Sequence, residues 1–152
     1  MGEDTTMRKI VIQTAAKVSH SLSLVEKLAD KNFVTFISQY DIICLYECWV
    51  QDDDEIDLYG YERYIFPRSI CKGGGIVLFY KTKWINVITV LDNIYDSIIW
   101  VKINQYNGNK CTAIAFCYIP PENSVFYDFC DVDLYDCLEE SVAHFKDSYN
   151  EY

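Results

Sequence analysis

Residues 40–49 read YDIICLYECW. Five apolar residues, 42–46, follow one another without a break and stop on one carboxylate, Glu47, set among Tyr46, Cys48 and Trp49. An unalternating run of that length is the pattern of a strand buried on both faces, as in parallel or mixed sheets. A carboxylate leaving such a strand is costly unless it is paired, hydrogen-bonded or coordinated. On the residues alone, Glu47 suits capping the following turn or meeting a lysine.

Outward from this strand, the pattern before it is helical. Leu24, Leu28, Phe33, Phe36, Ile37 and Tyr40 recur every three to five residues, with Asp30 and Asn32 able to break and recap the chain, so one helix or two short ones are expected. Residues 9–14 (KIVIQT) form a further strand candidate, and the polar residues 1–8 are expected to fray. After Trp49, strands are expected at 62–66, 75–80, 85–90, 98–103 and 111–118, separated by Gly73-Gly74-Gly75 and Asn107-Gly108. The last two should pair as a hairpin. Beyond Pro120-Pro121, residues 131–146 place Leu134, Leu138, Val142 and Phe145 on one helix face. These elements predict an α/β or α+β fold, a single domain over 9–152.

The composition fits that picture. The chain has 152 residues, 51% of them hydrophobic, enough for a real core. No apolar run approaches the ~18 residues that span a bilayer, and no leader pattern opens the chain, so an intracellular protein, nuclear or cytoplasmic, away from membranes is expected. The 23 acids and 13 bases leave a net charge of −10, which repels phosphate backbones and restricts nucleic-acid binding to a local site or a metal. Seven cysteines without paired C-x2-C knuckles read as small buried hydrophobes, with zinc not indicated. Lys72-Gly73-Gly74-Gly75 lacks the Gly-Lys-Ser/Thr ending of a phosphate loop and reads as a turn, and QDDDEID after Val50 reads as a solvated loop.

Four segments in order, KLADKNFVTFISQYDIICLYECWV (27–50), GYERYIFPRSICKGGGIVLFYK (60–81), DSIIWVKI (96–103) and FCYIPPENS (116–124), carry a resemblance. Together they resemble the endonuclease domain that precedes reverse transcriptase in non-LTR retrotransposons. That domain is a branch of the endonuclease/exonuclease/phosphatase superfamily, to which the abasic-site DNA endonucleases also belong. The resemblance implies a four-layer α/β/β/α sandwich, of which this chain would hold the first half, and hydrolysis of DNA phosphodiesters with Mg²⁺ or Mn²⁺. It makes Glu47 the metal-ligating glutamate, in keeping with the preference of hard cations for carboxylate oxygen and of ligands for the carboxyl ends of strands. It places Tyr118 near the scissile phosphate, as a donor to a non-bridging oxygen, and Asn123 in a loop able to touch nucleic-acid backbone.

Two departures from the family pattern bear on activity. The family's first strand ends on an asparagine, and the corresponding position here is His20 by ungapped placement, or Gln13 or Thr14 if the strand is 9–14. The family's Asp-x-Asn strand after the last helix and its later Ser-Asp-His segment would fall beyond Tyr152. A weak metal site with little or no nuclease activity is therefore expected. The alternative is a domesticated, non-catalytic module that binds a protein partner or a complementary half-domain. His144, on the last helix beside Val142 and Phe145, is expected to be structural.

Overall fold

The computed structural model describes residues 10–14, 23–50, 55–67, 75–91, 95, 97–104, 111–129 and 131–149. The fold mixes α and β and divides into two compact units, residues 1–67 with 73–86 and residues 68–72 with 87–152. The expected fraying of residues 1–8 lies outside the described residues.

The first unit contains β1 (Ile10–Thr14), α1 (Leu24–Ala29), α2 (Lys31–Ile37), β2 (Ile42–Tyr46), β3 (Tyr61–Phe66), β4 (Ile76–Lys81) and a 3-10 turn, Thr82–Trp84. Its sheet runs β1-β2-β4-β3, with β1 parallel to β2 and the other neighbours antiparallel. All five residues of β2 are buried in this mixed sheet, as the unbroken apolar run predicts. The helical pattern resolves into two helices because Asp30 serves both. Its backbone N–H closes α1 on the Lys27 carbonyl at 3.1 Å, and its carboxylate accepts the Asn32 N–H at 2.9 Å to open α2. Ser23 and Glu26 form a reciprocal capping box at the start of α1. The Tyr61 hydroxyl donates to the Tyr40 carbonyl at 2.6 Å, with the Ser38 carbonyl also near at 3.1 Å, in the turn after α2.

The core under the helices joins Leu24 and Ile37 to Ile43, Leu45, Val77 and Phe79. Full burial of such side chains stabilises by about 1.5–3 kcal/mol each. The opposite set of alternating residues, Ile42, Cys44 and Tyr46 with Ile76, Leu78 and Tyr80, is buried too. Strands β2 and β4 are thus apolar on both faces.

The second unit holds β5 (Ile88–Val90), β6 (Ile98–Asn104), β7 (Cys111–Cys117), α3 (Phe126–Phe129) and α4 (Leu134–Tyr149). Strand β6 is antiparallel to both neighbours. Its pairing with β7, Ile98 opposite Cys117 through Asn104 opposite Cys111, is the expected hairpin partnership. Strand β5 is shorter than the expected 85–90. The chain before it turns as a 3-10 helix so that the Trp84 indole N–H can donate to Asp41 Oδ1 at 3.1 Å, leaving Trp84 buried. Helix α4 is rotated from the expected stripe: Leu134, Cys137 and Ser141 are buried, while Leu138 and Val142 are half-buried. Trp100 explains the shift, since its indole N–H donates to Ser141 Oγ and its ring stacks on Phe145 at 4.7 Å. A core-facing serine is tolerated because it has this partner.

Of the five described cysteines, Cys44, Cys48 and Cys137 are buried as expected, whereas Cys111 on β7 is exposed. No described helix is long and apolar enough to cross a membrane.

Candidate functional site

The parallel pairing of β1 and β2 brings their carboxyl ends together, with Thr14 opposite Tyr46. Strand β4 enters from the other direction, with Ile76 opposite Tyr46 and Gly75 just ahead of it. Open α/β sheets bind ligands beyond such strand ends. Glu47 is the first residue past β2.

The backbone there is unusual. Glu47 has φ +55° and Trp49 φ +53°, the only non-glycine residues with positive φ among the described ones. The left-handed region costs an L-residue about 1–2 kcal/mol. Between them Cys48 is buried, its N–H donating to the Gly75 carbonyl at 3.3 Å and its thiol to the Leu45 carbonyl at 3.1 Å. This anchored cysteine, flanked by two reversed residues, leaves Glu47 half-buried at the rim and Trp49 44% exposed. Burial pushes the Cys48 thiol up to about 12, so it is a packing group at neutral pH and no nucleophile. Gly75 has a steric reason to be glycine: with φ +88°, a Cβ would lie 3.3 Å from the Phe66 carbonyl oxygen and 3.5 Å from Val50 Cγ2. The turn expected before β4 therefore ends on a backbone that only glycine adopts easily.

For a divalent cation, the described residues supply Glu47 and no group of three or more His, Cys, Asp or Glu side chains. One rim carboxylate fits a partial Mg²⁺ shell, because Mg²⁺ commonly takes one or two carboxylates and keeps several waters. The Cys48 hydrogen bonds hold the backbone next to Glu47 at the strand end.

Tyr118 and Asn123 belong to the second unit. Tyr118 follows β7, is half-buried, and is tied through its N–H to the Ser97 carbonyl at 3.0 Å. Asn123 is exposed in a turn closed by the Ser124 N–H on the Pro121 carbonyl at 2.8 Å. Beside that turn lies an open groove of about 400 Å³ whose lining includes Glu122, Asp131 and Asp133 with Tyr127 and Tyr135. Asp133 also opens α4, accepting the Tyr135 N–H at 2.8 Å. The acidic lining is a poor neighbour for phosphate. His20 lies outside the described residues, while β1 is the strand for which the family position falls near Gln13 or Thr14. His144 is exposed on α4.

Sequence reasoning missed Asp41, at the opposite end of β2 from Glu47. It is buried, accepts the Trp84 indole N–H, and has Lys81 Nζ at 3.6 Å and Lys83 Nζ at 3.9 Å. Lys83 also sits over the Trp84 ring, 4.9 Å from its centroid. Spacing gave a hint, since Asp41 abuts the apolar run while Lys81 and Lys83 flank the end of β4. The two polar poles of β2 thus differ in burial, Asp41 being buried and Glu47 half-buried.

No protein-family model matches the chain, and no curated protein matches it in sequence.

Proposed function

We propose that the chain carries the first half of an endonuclease/exonuclease/phosphatase domain, of the kind found beside non-LTR reverse transcriptases, with Glu47 as a Mg²⁺ or Mn²⁺ ligand at a DNA phosphodiester site. The observation that carries this reading is the buried strand β2 delivering Glu47, at φ +55°, to the carboxyl end of a parallel strand pair. Burial of β2 and β4 on both faces supports a place for this sheet inside a layered sandwich. On the resemblance, Tyr118 is assigned to a phosphate oxygen as hydrogen-bond donor, while the acidic groove beside Asn123 weighs against its assignment to nucleic-acid backbone.

Among its described residues the chain sets Glu47 at this site with no group of three or more His, Cys, Asp or Glu side chains around it. Positioning and charge stabilisation each carry several kcal/mol of catalysis. It should bind DNA weakly in the presence of Mg²⁺ and nick supercoiled or abasic-site DNA no faster than background. Fluorescence anisotropy of a short DNA duplex tests this: Mg²⁺-dependent binding lost in Glu47→Gln is the expected result, and binding indifferent to both Mg²⁺ and Glu47 would overturn it.

A second reading, a non-catalytic module for a basic protein partner, is favoured by the net charge of −10 and the acidic groove beside Asn123. Salt-sensitive DNA binding at physiological ionic strength counts against it. Capture of a basic peptide, lost in Asp131→Lys, counts for it.

A further inference from the structure

Helix α4 carries a second apolar stripe beside the one it buries. Its inner side holds the buried Leu134, Cys137 and Ser141. Turned from them, Tyr135, Leu138 and Val142 follow at spacings of three and four residues, which a helix stacks along one side. Tyr135 is 66% exposed, and Leu138 and Val142 are half-buried. Leu138 and Val142 line an open groove of about 410 Å³ together with the exposed Glu139, Ala143 and Lys146, so these five side chains border the same space. The two charges at the groove are seven residues apart, roughly 10 Å along the axis, beyond the reach of a helix-face pair. Nor does either have an opposite charge three or four residues away: those positions are apolar, aromatic or amide, or, for Glu139, the like-charged Asp136.

We propose that this face of α4 docks a second copy of the chain, helix against antiparallel helix across a two-fold axis. Charge complementarity selects both the occupant and its direction. With the axis between Val142 and Ala143, residues 139 and 146 lie equally far on either side of it, so Glu139 of each copy meets the partner's Lys146. Val142 then lies beside the partner's Ala143, a large side chain against a small one, and Tyr135 and Leu138 extend the apolar seam. A parallel pair would set glutamate against glutamate and lysine against lysine. A purely basic partner would leave Lys146 opposed, and a purely acidic one Glu139; the chain's own helix answers both. The dimer is weak, because each copy carries a net charge of −10 and one helix laid on another buries less than the ~1,200–2,000 Å² of a stable interface. Its dissociation constant should lie between about 1 µM and 1 mM.

Sedimentation velocity of the whole chain at physiological ionic strength, over a concentration series up to about 1 mM, tests this. Wild-type protein should pass from monomer to dimer and stop there, because a two-fold contact closes on itself. Glu139→Lys and Lys146→Glu each turn two attractive pairs into repulsive ones, and each should raise the dissociation constant about 10-fold. The double variant, with the charges exchanged, should regain wild-type affinity, and so should an equimolar mixture of the two single variants, which restores opposite charges across the axis. Both positions are exposed, so circular dichroism should be the same for all of these proteins. A wild-type monomer throughout would give the face to a different partner and overturn the proposal. Assembly beyond the dimer, single variants that dimerise as the wild type does, or a double variant no better than the single ones would overturn it as well.

Discussion

Replacing Glu47 by glycine and, separately, by alanine removes the same carboxylate and differs only in the backbone left behind. At φ +55° alanine keeps the left-handed cost of about 1–2 kcal/mol that glycine escapes. Glycine gives back about 0.4–1 kcal/mol through the extra freedom of its unfolded chain. The difference should leave Glu47→Gly more stable than Glu47→Ala by about 0.5–1 kcal/mol, roughly 1–4 °C in melting temperature for a chain of this size. The same pair at Thr35, exposed in α2, should show the opposite sign, with alanine more stable by about 1 kcal/mol. Urea unfolding followed by circular dichroism gives both comparisons. Equal stabilities at position 47, or alanine ahead of glycine, would refute the strained turn and remove the structural reason for treating Glu47 as a displayed group.

Asp41→Ala should destabilise by about 1–3 kcal/mol, because it strands the buried Trp84 indole N–H and removes the carboxylate that Lys81 and Lys83 approach; denaturant titration measures it. Cys48 should resist a thiol reagent at pH 8 in the folded protein while the exposed Cys111 reacts, as mass spectrometry after labelling would show. Stability should fall above about pH 9, since Cys48, Tyr61 and Tyr80 are held up to about 12 by burial and Tyr95 by its hydrogen bond to Glu140. For each of these groups the unfolded chain releases its proton first, so the stability present below the unfolded value is lost as pH rises toward the folded one. Melting curves from pH 7 to pH 11 check the sign.

What the sequence revealed and what it hid follow from how local each cause is. Strand β2 was legible because five consecutive apolar residues leave no polar face, whereas Asp30 offered a break between α1 and α2 that the sequence left undecided between one helix and two. The short β5 was not legible, since the cause is a hydrogen bond from Trp84 to Asp41, 43 residues earlier. The true face of α4 was misjudged because hydrophobicity ranks Leu138 and Val142 above Ser141, and only Trp100 on β6 makes Ser141 a core residue. At the site, Glu47 was visible as a charge closing an apolar strand. The left-handed turn that displays it was not, because no glycine or asparagine marks positions 47 and 49 and the conformation is imposed by the Cys48 anchor on Gly75.

The central claim, that Glu47 is a metal ligand at the end of β2, is tested most directly by following Mn²⁺ binding in wild-type protein and in Glu47→Gln by electron paramagnetic resonance of the free ion. One carboxylate with waters predicts a single weak site, displaced by excess Mg²⁺ and lost in Glu47→Gln. Equal Mn²⁺ binding by the two proteins, or none by the wild type, would contradict it.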